Sequence, residues 1–159
     1  MATNILFICT HNRCRSILCE AITNHLSNGR VQAFSAGSAP AAEVHPLTLQ
    51  HLRMHEIPTH NLISQCWESY KHQPLDIVIT VCDSAASEPC PIWFGDCAKV
   101  HWGLPDPSRT TGSEQEINSV FEQVIATIEQ RTHKLLQLDF ENLSRSQRQQ
   151  LLNQLVKDI

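Results

Sequence analysis

Nowhere does the 159-residue sequence carry an uncharged apolar run approaching the roughly 18 residues that a membrane-crossing helix requires. The opening Met1-Ala2-Thr3-Asn4 leads only into the short run from Ile5 to Cys9, with no basic stretch ahead of it. Neither a membrane span nor a secretory leader is expected, and a cytoplasmic location follows as the expectation. Positive charge is scarce as well: 12 Lys and Arg stand against 16 Asp and Glu, a formal net charge of -4. That balance offers no broad basic field for nucleic acid. Among seven cysteines there is no Cys-x-x-Cys pair, and the nine histidines form no zinc-like pattern, so no metal is expected. An odd number of cysteines also argues against a fully paired secreted framework, which leaves thiol chemistry as the reason for so many sulfurs.

What is present is a strand-and-helix alternation sized for one domain. Asn4 to Cys9 reads as a buried strand, and Ile17, Leu18, Ala21, Ile22 and Leu26 recur at helical spacing before Asn28-Gly29 closes the helix. Val31 to Ser35 suits a second strand, and Pro46 opens a second helix. Leu75 to Val81 is the clearest buried strand, and Lys99 to Trp102 a weaker one. A long helix is expected from Glu114 to about Leu138, and a last one from Ser144, with Gln147 in capping-box position. This pattern predicts an α/β fold, a central, mainly parallel sheet of about four strands flanked by helices. Residues 1–140 form the expected domain and 141–159 a C-terminal helical extension without an assigned role. Parallel sheets bind ligands beyond the carboxyl ends of their strands, where Cys9, Cys82 and Asp106 all fall.

Cys9 and Arg15 bracket five residues directly before the first predicted helix. Such a loop aims several backbone N–H groups at one tetrahedral anion, while the helix dipole adds positive potential and Arg15 a permanent bidentate donor. The candidate oxyanion-binding residues are therefore Thr10, His11, Asn12, Arg13, Cys14, Arg15 and Ser16. The same donors stabilise a thiolate, so Cys9 is the expected nucleophile, with a pKa below the free-cysteine value of about 8.5. Ser16 is placed to cap the helix and to donate to the sulfur, and Asn12 suits a left-handed turn. Cys14, Cys19 and Cys66 read as buried structural thiols. Taken alone, Cys9 and Arg15 also fit a buried strand end and a solvated arginine; the downstream residues favour chemistry.

Asp106, between Pro105 and Pro107, sits on a stiff turn suited to a general acid that protonates a departing oxygen. Cys82 and Cys90 flank Asp83 to Pro89, a small-residue segment read as a movable loop. If Cys9 bonds to a reducible oxyanion, Cys82 can release the reduced product as a Cys9–Cys82 disulfide, and Cys90 can carry the oxidation outward as Cys82–Cys90. Cys97 is the second candidate for that last position.

With these residues assembled, the chain resembles the arsenate reductases built on the low-molecular-weight tyrosine phosphatase fold, especially the thioredoxin-coupled group. The resemblance rests on Cys9 to Ser16, Ser35-Ala36-Gly37, Asp76 to Asp83, Cys90-Pro91 and His101 to Pro107. It implies that Cys9 attacks arsenate, Arg15 clamps its oxygens, Asp106 assists departure of an oxygen as water, Cys82 releases arsenite and Cys90 completes an exposed disulfide. It further implies no tightly bound cofactor and external thioredoxin as reductant, with glutathione and glutaredoxin the alternative. Arg13, Cys19 and Cys97 depart from the usual residues of that group. Some members bind a monovalent cation; Asn12, Glu20 and Ser35 resemble part of that site, without its remaining acidic ligand. The competing reading is a phosphotyrosine phosphatase that uses Cys9, Arg15 and Asp106 and has no need of Cys82 or Cys90. A third is a redox- or arsenic-sensing protein that binds through its thiols and leaves Arg15 and Asp106 without a purpose.

Overall fold

A computed structural model describes residues 2–87, 95 and 97–157. Its strands are β1 (Thr3–Ile8), β2 (Val31–Ala36), β3 (Ile77–Thr80) and β4 (Ala98–His101), all parallel and ordered β2-β1-β3-β4. The helices are α1 (Arg15–Ser27), α2 (Pro46–Met54), the short α3 (Asp83–Ser87), α4 (Glu114–Leu136) and α5 (Arg145–Lys157). Ile5, Leu6, Phe7 and Ile8 are all buried, as a central parallel strand covered on both faces requires. The chain leaves β1 toward β2 on one side, whereas β3 leads to β4 on the other. The carboxyl ends of β1 and β3 thus form the topological switch point, where a crevice opens.

α1 ends as its sequence dictates: Asn28 adopts the left-handed conformation and Gly29 follows at φ 86°. At its start the expectation fails, because Cys14 is the N-cap residue and makes no side-chain cap. The segment after Cys82 is likewise no open loop: residues 83–87 form α3, favoured by two alanines and an acidic first residue. Residues 88–94 and 96, among them Cys90, lie outside the described residues.

α2 is docked on α4 through His51, which is fully buried, stacks on Phe121 with centroids 4.5 Å apart, and meets Glu122 and Asn118 at 3.3 and 3.1 Å. α5 begins with the expected reciprocal cap: Ser144 N–H donates to Gln147 Oε1 at 2.9 Å and Gln147 N–H to Ser144 Oγ at 3.3 Å. It joins the same core through Leu152 and Leu155. Gln149 also pairs with the edge of β4, accepting from Lys99 N–H at 2.9 Å and donating to Lys99 O at 2.7 Å. A side-chain amide here imitates a neighbouring strand and covers an otherwise unpaired edge.

Candidate active site

The loop from Cys9 to Ser16 leaves β1 and enters α1 through a left-handed turn at Asn12, φ 47°. Asn12 is fully buried; its amide donates to Ser16 Oγ at 2.8 Å and its oxygen accepts Gln65 N–H at 2.8 Å. Ser16 is thereby a brace within the loop, its hydroxyl oxygen accepting from the Asn12 amide. The carbonyls of Thr10, His11 and Arg13 point outward and accept the N–H groups of Ala39, Ala41 and His45, each at 2.9 Å. Thr48 on α2 adds a hydroxyl at 3.3 Å to Arg13 O. With its carbonyls turned away, the loop turns amide groups inward, and among the described residues no backbone carbonyl takes the N–H groups of Asn12, Arg13 and Cys14. His11 extends outward, its Nδ1 3.0 Å from Ala39 O.

Gly37 follows β2 directly under this loop. A Cβ at Gly37 would stand 2.6 Å from Cys9 O and closer still to Thr10 O, both backbone atoms. Gly37→Ala is expected to cost about 1–3 kcal/mol in urea unfolding by overpacking, and to lower anion affinity by displacing the loop. Unchanged phosphate binding in the variant would show that the loop tolerates the shift.

Cys9 and Cys82 meet at the switch point, both buried. Cys82 Sγ accepts the N–H groups of Thr10 and Ala85, each at 3.4 Å, and lies 3.7 Å from Thr10 Oγ1. A hydrogen bond from Cys9, together with those donors, pulls the Cys82 pKa down to about 5. Cys9 is raised correspondingly, chiefly because it donates to Cys82 and is buried, although Arg15 and the His11 N–H oppose the rise. This corrects the expectation for Cys9. Two adjacent thiolates repel, so the pair carries one charge, and the donors of Thr10 and α3 hold it on Cys82.

Arg15 and Asp106 complete the site. Arg15 Nη1 donates to Leu104 O at 3.0 Å, Nη2 stands 3.6 Å from Asp106 Oδ2, and its buried Nε has no hydrogen-bond partner among the described residues. A buried cationic donor without an acceptor is costly in a folded protein and suits an incoming anion. Asp106 Oδ1 accepts from Ser108 N at 3.0 Å and Ser108 Oγ at 2.6 Å, while Arg109 Nε lies 3.5 Å from Oδ2. Behind this turn Arg131 lies over the Trp102 ring, 5.9 Å from its centroid, and donates to Gly103 O at 3.4 Å. The two arginines thus hold consecutive carbonyls of the segment that ends in Asp106.

Of the residues singled out in the sequence, Cys9, Cys82, Arg15 and Asp106 converge. Cys14 and Cys19 point into the core, and burial pushes the Cys14 thiol up to about 12. Sequence reasoning missed Leu104, Ser108, Arg109, His45, Thr48 and Gln65. Only Ser108 carried a local signal, as the second residue after a turn aspartate. Of the three residues that resemble part of a cation site, the Asn12 oxygen accepts Gln65 N–H and Ser35 Oγ donates to Glu20 Oε1 at 2.7 Å.

Burial raises Glu20 from 4.5 to about 7. A carboxyl raised in the folded state stabilises it fully below the unfolded pKa, and that contribution is lost as pH rises through about 7. Glu20→Gln is expected to flatten the fall in urea midpoint between pH 5 and 8, by about 1–3 kcal/mol in unfolding free energy. An undiminished slope would assign the fall to other groups.

The Cys9-to-Arg15 loop is thus a cradle of donors with a carboxyl at its rim and a second sulfur beside the first. The family model for low molecular weight phosphotyrosine protein phosphatase matches residues 4–150. The arsenate reductase of Bacillus subtilis is 31% identical over 120 residues, covering 76% of this chain and 85% of that protein. That of Shouchella clausii is 32% identical over 135 residues, covering 82% and 92%. The solved thioredoxin-dependent arsenate reductase of Corynebacterium glutamicum superposes with a TM-score of 0.65 at 27% identity; the match covers 86% of this chain and 62% of that one. The chain belongs to the low molecular weight phosphotyrosine protein phosphatase family, within which these arsenate reductases are its relatives.

Proposed function

We propose that this chain reduces arsenate to arsenite through Cys9, Cys82 and Cys90, and that thioredoxin restores its thiols. The observation that carries the reading is the contact between the Cys82 and Cys9 sulfurs inside the anion cradle. A hydrolase that uses Cys9, Arg15 and Asp106 needs no second sulfur there, whereas a reductase does.

The chemistry balances in three steps. The Cys9 thiol bonds to the arsenic of hydrogen arsenate; the thiol proton and the displaced hydroxyl leave together as water, Asp106 serving as the acid that protonates the departing oxygen. Arg15 and the loop amides hold the remaining oxygens. Cys82, already the thiolate of the pair, attacks Cys9 Sγ. The sulfur–arsenic bond breaks with its electron pair on arsenic, which is reduced from the pentavalent to the trivalent state and departs as arsenite. The Cys9–Cys82 disulfide is then exchanged by the Cys90 thiolate, which frees Cys9 and leaves Cys82–Cys90 for thioredoxin to reduce with two electrons.

The three arsenate reductases named above support the substrate, and the Corynebacterium glutamicum relative supports the reductant. The test is arsenate-dependent NADPH oxidation with thioredoxin and thioredoxin reductase, run beside glutathione with glutaredoxin. Turnover with thioredoxin that vanishes in Cys90→Ala is expected. Turnover with glutathione that survives Cys90→Ala would replace the proposed reductant. Hydrolysis of an aryl phosphate that is indifferent to Cys82 and Cys90, without arsenite production, would favour the phosphatase.

A further inference from the structure

Cys82 is not presented to an incoming thiol. Its sulfur is buried against Thr10 and Ala85, and α3 starts at the next residue. Thiol exchange at Cys82 therefore needs the first turn of α3 to move aside, because the attacking sulfur requires access.

One cluster outside the cradle ties that turn to the sheet. His101, the last residue of β4, lies between Thr80 Oγ1, 2.8 Å from its Nδ1, and Asp83 Oδ1, 3.0 Å from its Nε2. A carboxylate only accepts, so Nε2 carries a proton; in the neutral ring Nδ1 then accepts the Thr80 hydroxyl. The base of this clasp is fixed, since Trp102 N–H donates to Thr80 O at 2.7 Å and Leu104 N–H to Val81 O at 3.1 Å. Gly103 lies beneath it: a Cβ there would stand 3.2 Å from His101 Nε2 and 3.7 Å from Asp83 Oδ1. The far end is loose, with the Asp83 side chain 98% exposed and that of His101 37%.

We infer that His101 is a positioning residue that latches the first turn of α3 through Asp83 and so slows the exposure of Cys82 to a second thiol. The inference rests on the proposed relay. While Cys82 is a thiolate, the N–H groups of Thr10 and Ala85 also anchor α3 through its sulfur. Once Cys82 is oxidised, a neutral disulfide sulfur accepts those bonds weakly, and the His101–Asp83 contact becomes the principal side-chain tie on the first residue of α3 among the described residues. An exposed hydrogen bond to a carboxylate is weak, so the latch yields readily and sets a rate without blocking the step.

The test compares wild type with His101→Ala, His101→Gln and Asp83→Asn in the full chain. The first readout is amide exchange at Ala85, Ala86 and Ser87. The second is the rate at which diamide, which accepts two electrons and two protons, converts the Cys82 and Cys90 thiols to a disulfide, mapped by mass spectrometry after acid quenching. His101→Ala is expected to raise both rates about three- to tenfold, with Asp83→Asn intermediate and the single-turnover arsenite burst unchanged. Rates within twofold of wild type, or slower, overturn the latch. Asp83→Asn alters an exposed side chain and decides the matter if His101→Ala does not fold. Failure of wild type to release arsenite counts against the reductase reading, whereas the diamide and exchange arms still judge the latch.

Discussion

Cys82→Ser is expected to lower steady-state arsenate reduction about a thousandfold or more, as removal of an attacking nucleophile does. The first step has all its groups in place, so a Cys9–arsenic adduct should accumulate in acid-quenched samples. A neutral serine hydroxyl at position 82 also replaces the thiolate that holds the Cys9 proton, so Cys9 should titrate lower than in wild type. Iodoacetamide modification of Cys9 followed against pH measures that change. An unchanged Cys9 profile would mean that the two sulfurs do not share a proton.

The second large effect is at Arg15. Lysine keeps the charge but loses the planar fork, and its single nitrogen cannot occupy at once the positions that Arg15 Nη1 takes at Leu104 O and Nε holds for the anion. Arg15→Lys is expected to reduce kcat/KM for arsenate about 10²- to 10³-fold. Because Arg15 also anchors the segment leading to Asp106, kcat should fall along with affinity. Stopped-flow turnover combined with equilibrium phosphate binding separates the two. A loss confined to KM would make Arg15 a binding residue with no hold on Asp106.

The fold was readable where one physical rule acts alone. Ile77 to Thr80 and Ile5 to Ile8 are apolar runs too short for helices and covered on both faces, and both are strands. Ser144 and Gln147 formed the capping box that their spacing dictates. Asp83 to Ser87 misled because small residues suit both a loop and a short helix, and the choice was made by the fit of Cys82 against Thr10. The docking of α5 was illegible, because Gln149 meets Lys99 only after the sheet has formed.

In the site, the convergence of Cys9, Cys82 and Asp106 followed from strand ends in a parallel sheet. The placement of the charge did not. A cradle of donors around Cys9 predicts a lowered Cys9 pKa, but a second sulfur with its own donors reverses the order, and only their proximity reveals it. That reversal suits the relay, since the sulfur that must attack second is already ionised. Gln65 and Thr48 brace the loop from distant segments, which no local pattern announces.

The most direct measurement is a single turnover without any external reductant, quenched in acid and mapped by mass spectrometry alongside assay of the released product. One arsenite per chain, matched by one Cys82–Cys90 disulfide that Cys82→Ser abolishes, is the predicted result. Arsenite released while all seven cysteines remain thiols would contradict the account, because the electrons would then have come from somewhere else.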